Sequence, residues 1–203
     1  MAEEVFIEEC KKIGINPTQD QLNKLSKLYD YMIEYNKNVN LTRITAKKDV
    51  YLKHYYDSLT IVKAIDLNKV KTLCDVGTGA GFPGIILKIF FSDMKVTLVD
   101  SLNKRIVYLN KVIDLLDLKD IEAIHSRAEE MKEKYDVVVS RAVARIDKLI
   151  EMCSPIETKV LISMKAHFEE EEELIPKNYR YDLKKFKLPI EDSERTLVTI
   201  YKK

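Results

Sequence analysis

A chain of 203 residues has room for one α/β domain plus about 60 further residues and is too short for two full domains. Its 46% hydrophobic and 33% charged residues are those of a soluble globular protein, and a net charge of +1 argues neither for nor against a nucleic-acid partner. The longest apolar stretch, 85–91, carries Lys88 and is far short of a membrane span, the start Met-Ala-Glu-Glu lacks a secretory pattern, and Cys10, Cys74 and Cys153 are too scattered to pair on a metal. A cytoplasmic monomer with no metal and no membrane contact is expected.

In chain order, Val5, Phe6, Glu9 and Ile13 follow helical spacing up to Gly14, a natural stop. Thr18 and Gln21 have the form of a capping box ahead of Leu22, Leu25, Leu28, Tyr29, Met32 and Ile33, one apolar stripe. Residues 38–42 read as a shaped turn, and a third helix is expected over 49–64 with Leu52, Tyr55, Leu59 and Val62 inward. Residues 1–64 are therefore expected to form a helical extension and 65–203 the main domain.

The period then changes. Strands are expected at 70–76, 95–100, 121–124, 135–140 and 159–164, with helices at 83–91, 102–116 and 146–152 between them. This alternation indicates a doubly wound, mostly parallel α/β sheet covered on both faces. The last strand, 196–201, follows a weakly helical region and is expected as an antiparallel edge.

Charge is segregated along the chain. Lys37, Arg43, Lys47, Lys48 and Lys53 face Asp49 alone, and Glu169–Glu173 precede Lys177, Arg180, Lys184, Lys185 and Lys187. Basic segments separated by acidic ones suit either a phosphate-binding face or solvated helix surface.

The chemistry concentrates in Asp75-Val76-Gly77-Thr78-Gly79-Ala80-Gly81-Phe82-Pro83-Gly84, where a strand runs into glycines that let backbone approach a ligand. Two patterns fit. Gly79, Gly81 and Gly84 match the dinucleotide fingerprint, with Asp100 about twenty residues on to hold a ribose diol. Asp75, Gly77, Gly79 and Gly81 match the D/E-x-G-x-G-x-G loop of S-adenosylmethionine (SAM) methyltransferases. Asp75 favours the second: a carboxylate there suits the cofactor's ammonium and would repel a pyrophosphate.

Further blocks then narrow the reading: Asn40-Leu41-Thr42, His54-Tyr55-Tyr56-Asp57-Ser58-Leu59, Phe82-Pro83-Gly84, Asp100-Ser101-Leu102-Asn103-Lys104-Arg105, Ser126-Arg127-Ala128-Glu129, Ser140-Arg141-Ala142, Met164-Lys165 and Glu194-Arg195-Thr196-Leu197-Val198. With these, nearly the whole chain resembles the bacterial 16S ribosomal RNA guanine-N7 methyltransferases, the RsmG or GidB family. The resemblance implies a class I SAM-dependent methyltransferase fold, with SAM contacts at Gly77, Phe82, Ala128, Glu129 and Arg141. It also implies 16S ribosomal RNA, free or in the small ribosomal subunit, as partner. Where the family has glycine after Lys165 and a glycine turn before that strand, this chain has Ala166 and Glu157-Thr158.

The cofactor-binding set is thus Asp75, Gly77, Gly79, Gly81, Phe82, Asp100, Ala128, Glu129 and Arg141. The RNA-binding candidates are Lys47, Lys48, Lys104, Arg105 and Arg145. His54 is read as a helix-packing or capping residue, His125 and His167 lack a visible partner, and no side-chain general base is expected. Rival readings are a SAM methyltransferase for another RNA or a small molecule, a nicotinamide-dependent oxidoreductase, and a non-catalytic RNA-binding module.

Overall fold

The computed structural model describes residues 2–190 and 193–201. Seven strands form one sheet in the order β3-β2-β1-β4-β5-β7-β6. β1 (Thr72–Val76), β2 (Lys95–Asp100), β3 (Ile121–His125), β4 (Lys134–Arg141) and β5 (Glu157–Lys165) are parallel, β7 (Glu194–Tyr201) is antiparallel to β5, and β6 (Arg180–Lys187) is antiparallel to β7. The crossover helices are α5 (Gly84–Phe90), α6 (Asn103–Leu115) and α7 (Ile146–Met152).

The central strands are buried almost throughout because both faces are covered. Alternate residues serve two cores: Leu73, Val137, Val139 and Ile162 pack toward α5 and α6, while Cys74, Val76, Val138 and Leu161 pack toward α7. Five strand expectations are met to within a few residues. One is corrected. The last strand enters antiparallel but lies one place inside the edge, which belongs to β6, built from residues expected to be weakly helical. Its exposed Arg180, Lys184, Lys185 and Lys187 guard the open edge against further pairing.

The N-terminal part is helical as expected: α1 (Ala2–Lys12), α2 (Gln19–Asn36), then a continuous run of α3 (Lys47–Val50), a π-helical segment (Tyr51–Tyr56), α4 (Asp57–Leu59) and a 3-10 turn (Thr60–Lys63). Thr18 and Gln21 form the capping box of α2, and Gly14 ends α1 at φ 80°. The turn after α2 is organised by Asn36: its Oδ1 accepts from the N–H groups of Leu41 (2.6 Å) and Thr42 (3.0 Å), and its Nδ2 donates to the Thr42 carbonyl. Phe6, Leu25, Tyr51, Tyr55 and Leu59 join the same core cluster as Leu73, Ile85 and Leu98. The extension therefore has no separate core, and it sits where its helical run reaches the carboxyl end of β4.

Candidate active site

A cavity of about 550 Å³ opens at the carboxyl ends of β1, β2, β3 and β4, where a doubly wound sheet offers a crevice for ligands. Gly77, Gly79, Phe82, Asp100, Ala128, Glu129 and Arg141 line it, as do Leu41, Thr42 and His54 of the extension. Asp75 and Gly81 are not among the lining residues.

Asp75 lies behind the loop rather than on the cavity wall. Its carboxylate is fully buried behind the loop, where Oδ2 accepts from the Thr78 hydroxyl (2.7 Å) and the Gly84 N–H (2.8 Å). It thus caps the first residue of α5 with a negative charge, which is the position a pyrophosphate would need. Five other loop amides are also engaged. Gly77 and Thr78 donate to the Val99 carbonyl, Gly81 and Phe82 to the Thr78 carbonyl, and Gly79 to Asp100 Oδ2. A carboxylate in that place and the engaged amides disfavour a pyrophosphate, so the dinucleotide reading is not favoured. Burial pushes the Asp75 carboxyl up to about 6, against the lowering effect of its two hydrogen bonds.

Gly77 (φ 68°) and Gly79 (φ 61°) have left-handed backbones that favour glycine. A Cβ on Gly77 would fall inside contact distance of Val143, whereas one on Gly79 would meet nothing closer than 3.9 Å. Gly81 serves packing: its Cβ would lie 2.5 Å from Ile85 and 3.0 Å from Leu109. Val143 reaches Gly77 because Ala142 turns left-handed (φ 55°) directly after Arg141. The buried Lys165 holds this turn, donating to the Ala144 carbonyl and pairing with Glu171 at 2.8 Å, while Glu171 accepts from the Ile146 N–H. In this way the Lys165 loop, continuing into Ala166, fixes the turn after β4.

Asp100 is the acid on the β2 side of the pocket, 3% exposed. Its Oδ1 accepts from Leu102 N–H (2.9 Å), and its Oδ2 from Gly79 N–H and Arg105 (both 3.0 Å). A carboxylate has about four acceptor positions, so capacity for one more hydroxyl remains. Arg105 is therefore a pocket residue with one guanidinium nitrogen paired with Asp100. Of the other basic candidates, Lys47, Lys48, Lys104 and Arg145 are exposed outside the pocket. Lys47 lies 5.3 Å above the Tyr29 ring, and Arg145 is paired with Asp147 at 2.8 Å.

The largest gap in the sequence reading is the cluster around Arg141. Its NH1 donates to the Lys53 carbonyl (3.2 Å) and pairs with Asp57 (3.4 Å), its NH2 donates to His54 Nδ1 (3.2 Å), and its guanidinium lies 5.4 Å from the Phe82 ring centre. Asp57, 1% exposed, also pairs with Arg195 of β7 at 3.1 Å. His54 stacks on Phe82 with centroids 4.9 Å apart, and its Nε2 lies 2.9 Å from Thr42 Oγ1. Arginine can only donate, so His54 Nδ1 must accept and Nε2 must carry the proton, given to Thr42. Burial and the Arg141 charge hold His54 down to about 3. The π-helical turn presents His54 and the Lys53 carbonyl together, a use to which such turns are often put. His54 is thus part of the pocket and more than a packing residue. The signal for it was the His-Tyr-Tyr-Asp-Ser-Leu block. His125 lies outside the pocket, with Nε2 3.0 Å from the Ser101 carbonyl.

Solved structures share this architecture. A SAM-dependent methyltransferase from Aquifex aeolicus superposes with a TM-score of 0.55 at 17% identity, covering 72% of this chain and 90% of that one. A mutant of MtNAS in complex with S-adenosylmethionine gives 0.58 at 15% identity, covering 91% and 72%. At those identities the likeness concerns the fold. Sequence relatives go further. Ribosomal RNA small subunit methyltransferase G of Bacillus subtilis is 42% identical over 98% of this chain and 90% of its own length, and that of Lachnoclostridium phytofermentans is 44% identical over 97% and 88%. Residues 21–193 match the family model for rRNA small subunit methyltransferase G, a span that holds the glycine loop, Asp100, and Arg141 with its partners Lys53, His54 and Asp57. The chain belongs to the rRNA small subunit methyltransferase G family.

Proposed function

We propose that the protein transfers a methyl group from S-adenosylmethionine to N7 of a guanosine in 16S ribosomal RNA, leaving 7-methylguanosine and S-adenosylhomocysteine. The observation that carries this reading is the pocket itself. In its glycine loop Asp75 sets a negative charge where a phosphate would sit, and Gly77 and Gly79 leave the loop bare of side chains. These features fit the cofactor. Asp100 suits the ribose diol, Ala128 and Glu129 the adenine, and Arg141, with His54 and Phe82 behind it, the methionine carboxylate. Asp75 and Gly81 act through the shape of the loop.

Bound S-adenosylmethionine supplies a sulfonium-activated methyl group, which the lone pair of guanine N7 can take without first losing a proton. No base is then needed, and His54 is not arranged as one: its Nδ1 lone pair is engaged by Arg141, and Nε2 carries its proton toward Thr42. The work left to the residues is to align the reacting atoms and to exclude water, a positioning effect worth several kcal/mol. Lys47, Lys48, Lys104 and Arg145 are then the cations outside the pocket that meet RNA phosphates. This reading places the protein in the cytoplasm with the ribosomal subunits, and free 16S ribosomal RNA or the small subunit is its substrate.

The test is to incubate labelled S-adenosylmethionine with small-subunit particles and with free 16S ribosomal RNA, both from a strain lacking the enzyme. The RNA is then digested and the labelled nucleoside identified. Label in 7-methylguanosine is expected. Label in another nucleoside, or none in RNA, overturns the proposal.

A further inference from the structure

The outer face of α6 combines features that its fold does not require. Leu102, Val107 and Leu115 are 42%, 42% and 44% exposed, three of the four large apolar side chains exposed among the described residues. Lys104, Val107, Lys111 and Leu115 recur at helical spacing, so cationic and apolar groups alternate along one stripe. The stripe begins at the pocket, since Ser101 and Arg105 line the cavity. Beside it, α2 contributes two half-buried tyrosines. Tyr31 stacks on Tyr108 at 5.9 Å, and Tyr35 lies 5.1 Å from the same ring with the Lys111 ammonium 5.7 Å above it. Lys104 and Lys111 make no ion pair among the described residues, whereas Lys24 of α2 and Lys37 at its C-terminal cap do. The one acid of α6, Asp114, comes after Lys111, toward the end of the helix away from the pocket.

We infer that the single-stranded RNA flanking the methylated guanosine is laid along this stripe, with phosphates on Lys104 and Lys111 and a base against Val107 and Tyr35. The inference rests on the RNA-methyltransferase reading above and adds the path of the substrate. Free cations interleaved with apolar and aromatic groups provide both halves of single-strand binding, charge for the backbone and flat surface for bases. A protein partner is the poorer match, because lysine is depleted from protein–protein interfaces. Lys104 and Lys111 stand about 10 Å apart along the helix axis, seven residues at ~1.5 Å each.

The test is fluorescence anisotropy with a short labelled single-stranded oligoribonucleotide containing one guanosine, across a salt series. In Lys104→Ala/Lys111→Ala the log–log salt slope should become shallower by about 1.4, roughly 0.7 for each phosphate no longer neutralised. Val107→Glu, a substitution at an exposed position, should weaken binding about tenfold or more, because it removes the apolar surface under a base and repels the phosphates. S-adenosylmethionine affinity by calorimetry should stay at the wild-type value in both. Unchanged slopes overturn the inference. So does wild-type binding to the oligonucleotide combined with abolished methyl transfer to assembled subunits, which would assign the stripe to a protein of the particle. The binding comparison needs no methyl transfer, so failure of the transfer assay defeats the earlier proposal alone.

Discussion

Replacing Asp75 by Asn should make the protein more stable at neutral pH and leave it unchanged in acid. In the folded chain the carboxyl sits at about 6, against 3.8 for an ordinary aspartate, because burial opposes its charge more than Thr78 and Gly84 support it. A raised carboxyl favours the protonated folded state. The stability it contributes is fully present below pH 3.8 and is lost as pH rises through about 6. At about 1.4 kcal/mol per pH unit, the loss amounts to about 3 kcal/mol. Asparagine keeps an acceptor oxygen for the Thr78 hydroxyl and Gly84 N–H and carries no charge. Urea unfolding of both proteins at pH 4 to 8 measures the difference directly, and every other titrating group cancels in it. The variant should gain on wild type by up to about 3 kcal/mol across that range, most of it between pH 4 and 7. Parallel stability profiles would refute the argument that ionised Asp75 is a strained cap, and with it the account of why the loop rejects phosphates.

Four further outcomes follow from the site. Gly77→Ala should lose measurable S-adenosylmethionine binding in calorimetry, since its Cβ collides with Val143 and its backbone is left-handed, at a stability cost of roughly 1–2 kcal/mol in thermal melts. Wild-type affinity in a folded variant would contradict the loop assignment. Asp57→Asn should destabilise the chain by about 3 kcal/mol or more, because two arginines lose a buried carboxylate; a denaturation midpoint within error of wild type would show the cluster to be energetically idle. His54, held down to about 3, should stay neutral with its proton on Nε2 throughout pH 5 to 8. Nitrogen chemical shifts read both facts, and a titration near 6.5 or an Nδ1–H tautomer would overturn the assigned bond to Arg141. Single-turnover methyl transfer should correspondingly be flat from about pH 6.5 to 8.5, with no histidine acting as base.

Local signals in the sequence were enough for the elements that depend on periodicity. The parallel strands, the three crossover helices, the capping box at Thr18 and the glycine turn all follow from short-range spacing, which is preserved whatever the rest of the chain does. The pocket position followed too, because a strand–glycine–helix junction and an acid ending the next strand can only meet at the carboxyl edge of a parallel sheet. Tertiary structure decided the rest. The residues of β6, Arg-Tyr-Asp-Leu-Lys-Lys-Phe-Lys, carry a broken alternation, and their strand exists because eight residues of β7 pair with them. Asp75 was recognisable as important, but its direction was not, since a side chain at a strand end points into the loop or behind it according to how the next helix returns. The Arg141 cluster gathers residues 42, 54, 57, 141 and 195 from the extension, β4 and the final strand. No spacing encodes such contacts. They arise because the helical extension shares its core with the sheet, which brings the π-helical turn to the end of β4, and burial then sets which groups carry charge.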